Sequence, residues 1–309
     1  MILGGKVSSV GARMPRADYP IRASFLRPAR DGAIVGMLVL VAAHAAGLLE
    51  IGVDAFTYWS IDPLDPYTAT RPGVGLAFFY TPAIAQLFAP FHLLPWQAFI
   101  ALWSLLLAAA FVWQAGLWTG PLLLFVPVFA EIAAGNIHLL LGAMVIIGFR
   151  YPAVWAFALL TKVTPGVGLL WFAVRREWRS LALALGATAA IAAVSFVFVP
   201  ALWARWAEIL VAAAGAKQWP FTIPVPLPVR LALAAALVTW GARTDRAWTV
   251  PVASTIALPV LWVNGLAMLV AVLPLIPDRI GSTPASRWLA RQVEPRKAAE
   301  IASAERAGA

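Results

Sequence analysis

Apolar windows of about twenty residues recur along most of the chain, separated by short polar or basic stretches. That is the pattern of membrane-spanning helices. It predicts spans at roughly 33–52, 75–94, 97–117, 120–134, 136–149, 152–174, 180–199, 229–243, 247–262 and 264–277. The expected fold is therefore all-α, a polytopic transmembrane helical bundle of about ten spans. Residues 120–149 read either as one long helix or as a hairpin turning at Gly135-Asn136, and 247–277 either as one span or as two broken near Trp262–Gly265. Several predicted segments are shorter than 20 residues, as re-entrant elements are.

Charge decides between these options. Of the 23 Lys and Arg residues, six lie in 1–31 and six in the C-terminal tail. Arg175, Arg176, Arg179, Arg243 and Arg246 fall in connections that ten spans place on the same side. Positive charge collects on the cytoplasmic side of membrane proteins, so both hairpins are kept and both termini are expected inside the cell membrane. This divides the chain into a basic cytoplasmic N-terminal tail (1–31), a transmembrane domain (32–277) and a cytoplasmic C-terminal tail (278–309). The first apolar run has no small-residue cleavage site after it and reads as a retained anchor. Two outer-face loops remain. One, 53–74, is acidic and aromatic; the other, 200–228, is rich in Trp and Pro, with 201–214 patterned as an interfacial amphipathic helix.

Composition strengthens this picture. The chain is 62% hydrophobic and 12% charged, with a mean hydropathy of +0.83, about half the charge of a soluble domain. The net charge of +9 is gathered in tails and short connections, which excludes nucleic acid as the expected partner and leaves membrane lipid. With no cysteine there is no disulfide framework, thiolate metal site or thiol nucleophile. No Gly-rich nucleotide loop or metal-ligand spacing is present, so no cofactor is expected.

Candidate chemistry lies at span ends and inside spans. Asp54 follows the first span at the membrane surface, where a carboxylate could act as general base, cap a helix or simply be solvated. Glu50 would share its face if the helix continued. Glu131 and Lys162 lie within apolar segments, where ionisable groups usually face a partner or a cavity. They read either as a buried pair or as a phosphate-binding Lys162 oriented by Glu131. His138 fits a packed, hydrogen-bonded role better than a catalytic one, and His44 and His92 read as structural. Arg71, Arg205, Lys217 and Arg230 are outer-face cations suited to a phosphate, and Tyr58, Trp59, Tyr67 and Trp219 could stack on a sugar.

Four stretches stand out together: Asp54–Trp59, Phe79-Tyr80-Thr81-Pro82 with Ala89-Pro90, Gly135–Leu140 (with Asn136 and His138), and Thr161–Pro165 (with Lys162) followed by Arg175–Arg179. In order and spacing they resemble the bacterial polyprenyl-phosphate-mannose-dependent membrane mannosyltransferases, a branch of the GT-C glycosyltransferase superfamily. The resemblance implies a GT-C-like bundle and an inverting transfer of a hexose, mannose first. The donor would be a polyprenyl-phosphate-linked sugar and the acceptor a glycolipid or cell-envelope glycan, with Asp54 as base. Together with the outer-face cations, the expected donor site is drawn from Tyr58, Arg71, Tyr80, Asn136, His138, Lys162, Arg205, Lys217 and Asn264. At Leu258–Gly265 the family's Pro and Trp are kept but its two histidines are absent; Asn264 can hydrogen-bond there but cannot shuttle a proton. The alternative is a non-catalytic membrane protein, either a transporter or flippase for a lipid-linked substrate or an inactive relative.

Overall fold

A computed structural model describes residues 20–49, 51–62, 64–68, 70, 77–214, 222–276 and 283–289. Among them the chain is helical without strands. In order come α1 (Pro20–Ala45), α2 (Val53–Ser60), α3 (Pro82–Phe88), α4 (Trp96–Ala115), α5 (Thr119–Leu123), α6 (Val126–Ala134) and α7 (His138–Gly148). These are followed by α8 (Trp155–Thr161), α9 (Leu170–Val174), α10 (Trp178–Phe198), α11 (Pro200–Ala214), α12 (Leu227–Arg243) and α13 (Thr249–Ile256). Tight 3₁₀ segments link several of them, the longest being Val263–Leu275.

Two described helices are long and apolar enough to cross a membrane: Trp96–Leu123, 28 residues at mean hydropathy 1.9, and α10, 21 residues at 2.3. A third arises if α6 and α7, bent by 106°, form one broken span. Of the other expected spans, 229–243 lies in one continuous helix of 17 residues (α12), and several are interrupted. Residues 152–174, for example, break where Lys162 turns extended (φ −142°, ψ 106°), three residues before Pro165, whose ring cannot continue a regular helix. Only 11% of the apolar window of α10 is buried, and Leu183, Leu185, Ile191, Val194 and Phe196 stand exposed along it. A soluble surface rarely carries so large an apolar face. It suits hydrocarbon.

The buried side of α4 carries Phe99, Trp103, Leu107 and Phe111 at four-residue spacing, while Leu102, Leu105 and Leu106 face outward. Both faces are apolar, so the sequence pattern does not distinguish them. α1 packs on α4 and α5, α6 and α7 pack on Val263–Leu275, and α12 packs on α13. The turn at Gly135-Asn136 and the helix α11 fall where the pattern predicts them, and 247–277 is broken between α13 and Val263. α1 ends at Ala45, earlier than expected, and the chain turns through Gly47 (φ 68°) and Gly52 (φ 101°). α1 therefore does not continue to Asp54, and Glu50 lies outside the described residues. The 53–74 loop opens as α2. Of the C-terminal tail, 283–289 is described, and its Trp288 ring lies 6.0 Å from Trp113 and 6.2 Å from Tyr151.

Candidate active site

Asp54 sits in the first turn of α2, where the helix dipole favours a carboxylate. Two glycines let α2 approach the bundle. At Gly52 (φ 101°) a side chain would meet Ile100 Cδ1 at 2.6 Å. At Gly135 (φ 69°) it would meet Ala55 Cβ at 2.6 Å, a conformation and a spacing that only glycine meets together. The turn is also held by Trp103, whose Nε1–H donates to the Gly135 carbonyl at 2.7 Å. Asn136 is thereby brought against α2, and its Nδ2 donates to Asp54 Oδ2 at 2.7 Å.

The Asn136 amide oxygen accepts from the Ile137 N–H (2.7 Å) and from the Tyr58 hydroxyl (3.3 Å), which fixes the orientation of the amide. Tyr58 and Tyr80 hydroxyls are 3.0 Å apart, and Tyr67 donates to the Tyr80 carbonyl at 2.8 Å. Burial holds the half-buried Asp54 carboxyl above the usual carboxylate range. The Asn136 hydrogen bond pulls it back, the charge of Glu131 raises it, and Lys162 and His138 lower it. Burial likewise holds the Tyr58 phenol well above its ordinary value, so it remains a hydrogen-bond donor at neutral pH.

A second set lies two residues further along the same turn. Glu131 and His138 are fully buried. The Glu131 carboxylate accepts from the His138 backbone N–H, which caps α7, from His138 Nδ1 at 3.0 Å and from Asn264 Nδ2 at 3.1 Å. With Nδ1–H donating to the carboxylate, Nε2 presents its lone pair to Lys162 Nζ at 2.6 Å. The sequence left Glu131 and Lys162 either as a buried pair or as a phosphate-binding lysine oriented by the glutamate; His138 stands between them, so they do not pair directly. One ammonium hydrogen is used in this way, and two remain on a half-buried Lys162.

Other expected residues lie elsewhere. Arg205 on α11 is paired with Asp65 at 2.7 Å, and Trp206 donates to the Phe79 carbonyl at 3.0 Å. Arg230 is not an outer-face phosphate ligand. Its buried guanidinium donates to the carbonyls of Val225, Ile256, Leu258 and Pro259, pinning the chain that leads to Asn264. His92 contacts the Trp59 carbonyl at 3.2 Å. Trp59 packs among Phe56, His92 and Trp96, and Tyr67 is buried. Arg71, Lys217 and Trp219 lie outside the described residues. Trp103 was missed: nothing in the pattern separates a turn-locking indole from the other fourteen Trp of an aromatic belt. Among the described residues no group of three or more His, Asp or Glu side chains is placed to hold a metal ion.

Asp54, Tyr58, Tyr80, Asn136, His138, Lys162 and Asn264, drawn from five separate stretches, thus form one polar cluster in an apolar bundle. Residues 78–290, more than half of the chain, match the model of Glycosyltransferase family 87. The chain belongs to glycosyltransferase family 87. Neither a curated protein nor a solved structure matches it. Family 87 is of the GT-C type, and its membership makes this protein a glycosyltransferase, which uses a sugar donor and an acceptor. The family match begins at Phe78 and includes Tyr80, Asn136, His138, Lys162 and Asn264, while Asp54 and Tyr58 precede it.

Proposed function

We propose that this family 87 enzyme transfers a hexose, mannose first, from a polyprenyl phosphate to a glycolipid or cell-envelope glycan, with inversion, at the outer face of the cell membrane. The observation that carries the reading is the half-buried Asp54 carboxylate, bonded to Asn136 in the same cluster as Lys162. The acceptor hydroxyl attacks the anomeric carbon and its proton passes to Asp54. The bond from that carbon to the phosphate oxygen breaks, and the polyprenyl phosphate leaves with the electron pair. A single displacement inverts the anomeric centre. The free Lys162 hydrogens suit the charge growing on the departing phosphate, where fixed donors lower the barrier most. Glu131 and His138 are positioning residues that hold Lys162, and Asn264 orients Glu131.

The test is sugar transfer by purified protein in lipid, supplied with radiolabelled polyprenyl-phosphate-mannose and a crude glycolipid extract. Wild type should move label to a new lipid, and Asp54→Asn should lose at least about 100-fold of that rate while keeping donor binding, as removal of a general base does. Full activity in Asp54→Asn sinks the assignment of the base. Donor binding without transfer by wild type shifts weight to the transport reading of such a bundle.

A further inference from the structure

Pro82 opens α3 without an N–H, and Thr81 before it is extended (φ −62°, ψ 158°), as residues before proline are. The Phe78–Tyr80 stretch ahead of it runs outside any helix, so its carbonyls need partners from elsewhere. Each of the three has a side chain. Thr70 Oγ1 donates to the Phe78 carbonyl at 3.1 Å, Trp206 Nε1–H to the Phe79 carbonyl at 3.0 Å and Tyr67 to the Tyr80 carbonyl at 2.8 Å. These donors come from two distant parts of the chain. Tyr67 and Thr70 belong to the 53–74 loop and Trp206 to α11, and the ion pair of Asp65 with Arg205 at 2.7 Å ties the loop to the helix.

The stretch held in this way carries Tyr80 into the polar cluster. Tyr58 donates its one hydrogen to Asn136, so the hydrogen between the two phenols comes from Tyr80. A directed chain results: Tyr80 donates to Tyr58, Tyr58 to Asn136, and Asn136 to Asp54. Bonds in such a chain polarise one another, so a fixed Tyr80 strengthens the Asn136 bond that ends on the carboxylate.

We propose that Trp206 is a positioning residue for the base. Its indole holds the Phe79 carbonyl and thereby sets Tyr80, and the chain of hydrogen bonds passes that constraint to Asp54. The inference rests on the reading of Asp54 as the base. Trp203, one turn earlier on α11, supplies the comparison: its Nε1–H donates to Ser195 Oγ on α10 at 3.1 Å and not to the Phe78–Tyr80 stretch.

The experiment follows Asp54 itself, by carbodiimide labelling of its protonated carboxyl in full-length protein in lipid, read by peptide mass spectrometry across pH. The labelling midpoint should rise by about half a unit in Tyr80→Phe and in Trp206→Phe, roughly a threefold change in proton affinity and less than one net hydrogen bond. Trp203→Phe, the same loss on the same helix, should leave the midpoint in place. In a Tyr80→Phe background, Trp206→Phe should add nothing. Glu131, His138 and Lys162, the other charged or titratable groups acting on Asp54, are unchanged in all of these proteins. An unmoved midpoint in Trp206→Phe overturns the proposal, as does an equal rise in Trp203→Phe or a full Trp206→Phe effect that persists without the Tyr80 hydroxyl. Sugar transfer by the same proteins tests the base separately: a fully active Asp54→Asn removes that reading, while the labelling still decides whether Trp206 positions the carboxylate.

Discussion

At the scale of single residues, the centre of the site is one amide. Asn136 donates to Asp54 while accepting from Tyr58, so it sets both the direction of the carboxylate and the proton affinity that the base brings to the reaction. Burial raises that affinity and the Asn136 bond lowers it. In the proposed transfer Asp54 acts deprotonated, so the rate should fall as pH drops through an acid limb centred above the ordinary aspartate value of about 3.9. Asn136→Leu removes the opposing bond, and its limb should move to higher pH with a lower plateau. A pH profile of kcat/KM on both proteins checks the sign; a limb that moves to lower pH contradicts it. Much of this was legible beforehand. The motif stretches named Asp54, Tyr58, Asn136, His138 and Lys162, because ionisable and amide groups within apolar runs stand out. The relay through His138 was not legible, since sequence spacing does not say which of three buried polar groups lies in the middle. Nor was the role of Arg230, because a guanidinium bound to four carbonyls reads in sequence like one awaiting a phosphate.

At the scale of elements, the site depends on how closely an eight-residue helix can lie against a turn. α2 was not evident in the sequence: it is short, follows a left-handed glycine, and sits in a stretch whose polar and aromatic residues read as loop. The break between α6 and α7 was evident, because Gly135-Asn136 interrupts an apolar run. Gly135 is required there twice, for its φ of 69° and for the 2.6 Å that a Cβ would leave to Ala55. Asn tolerates the left-handed region better than most residues, so Gly135→Asn separates these demands. Its transfer rate should still fall, by roughly tenfold or more, as a misplaced base does. A variant with wild-type rate would show that φ alone is what glycine serves at this turn.

At the scale of the whole molecule, α10 presents apolar side chains to its surroundings along nearly its full length, whereas the polar cluster is enclosed by α2, α6, α7 and the segments at Tyr80, Lys162 and Asn264. Leu185→Arg, at an exposed site near the middle of α10, should cost about 2.5–3.5 kcal/mol of insertion free energy if that face meets hydrocarbon. On a water-facing surface the same change stays within about 0.5 kcal/mol. Membrane-fraction yield beside Leu185→Ala distinguishes the two, and equal yields would mean that α10 is not lipid-facing. The apolar periodicity that identifies such helices does not register where proline and extended residues such as Lys162 cut a run into shorter pieces, so ten expected spans do not appear as ten long helices among the described residues. Within this bundle the cluster sets two carboxylates, Asp54 and Glu131, beside the single ammonium of Lys162. In the proposed transfer, the proton arriving on Asp54 and the negative charge arriving on the leaving phosphate cancel inside that one enclosure. The transfer step then leaves the total charge of that enclosure unchanged, so the apolar helices around it shield no added charge while the sugar moves.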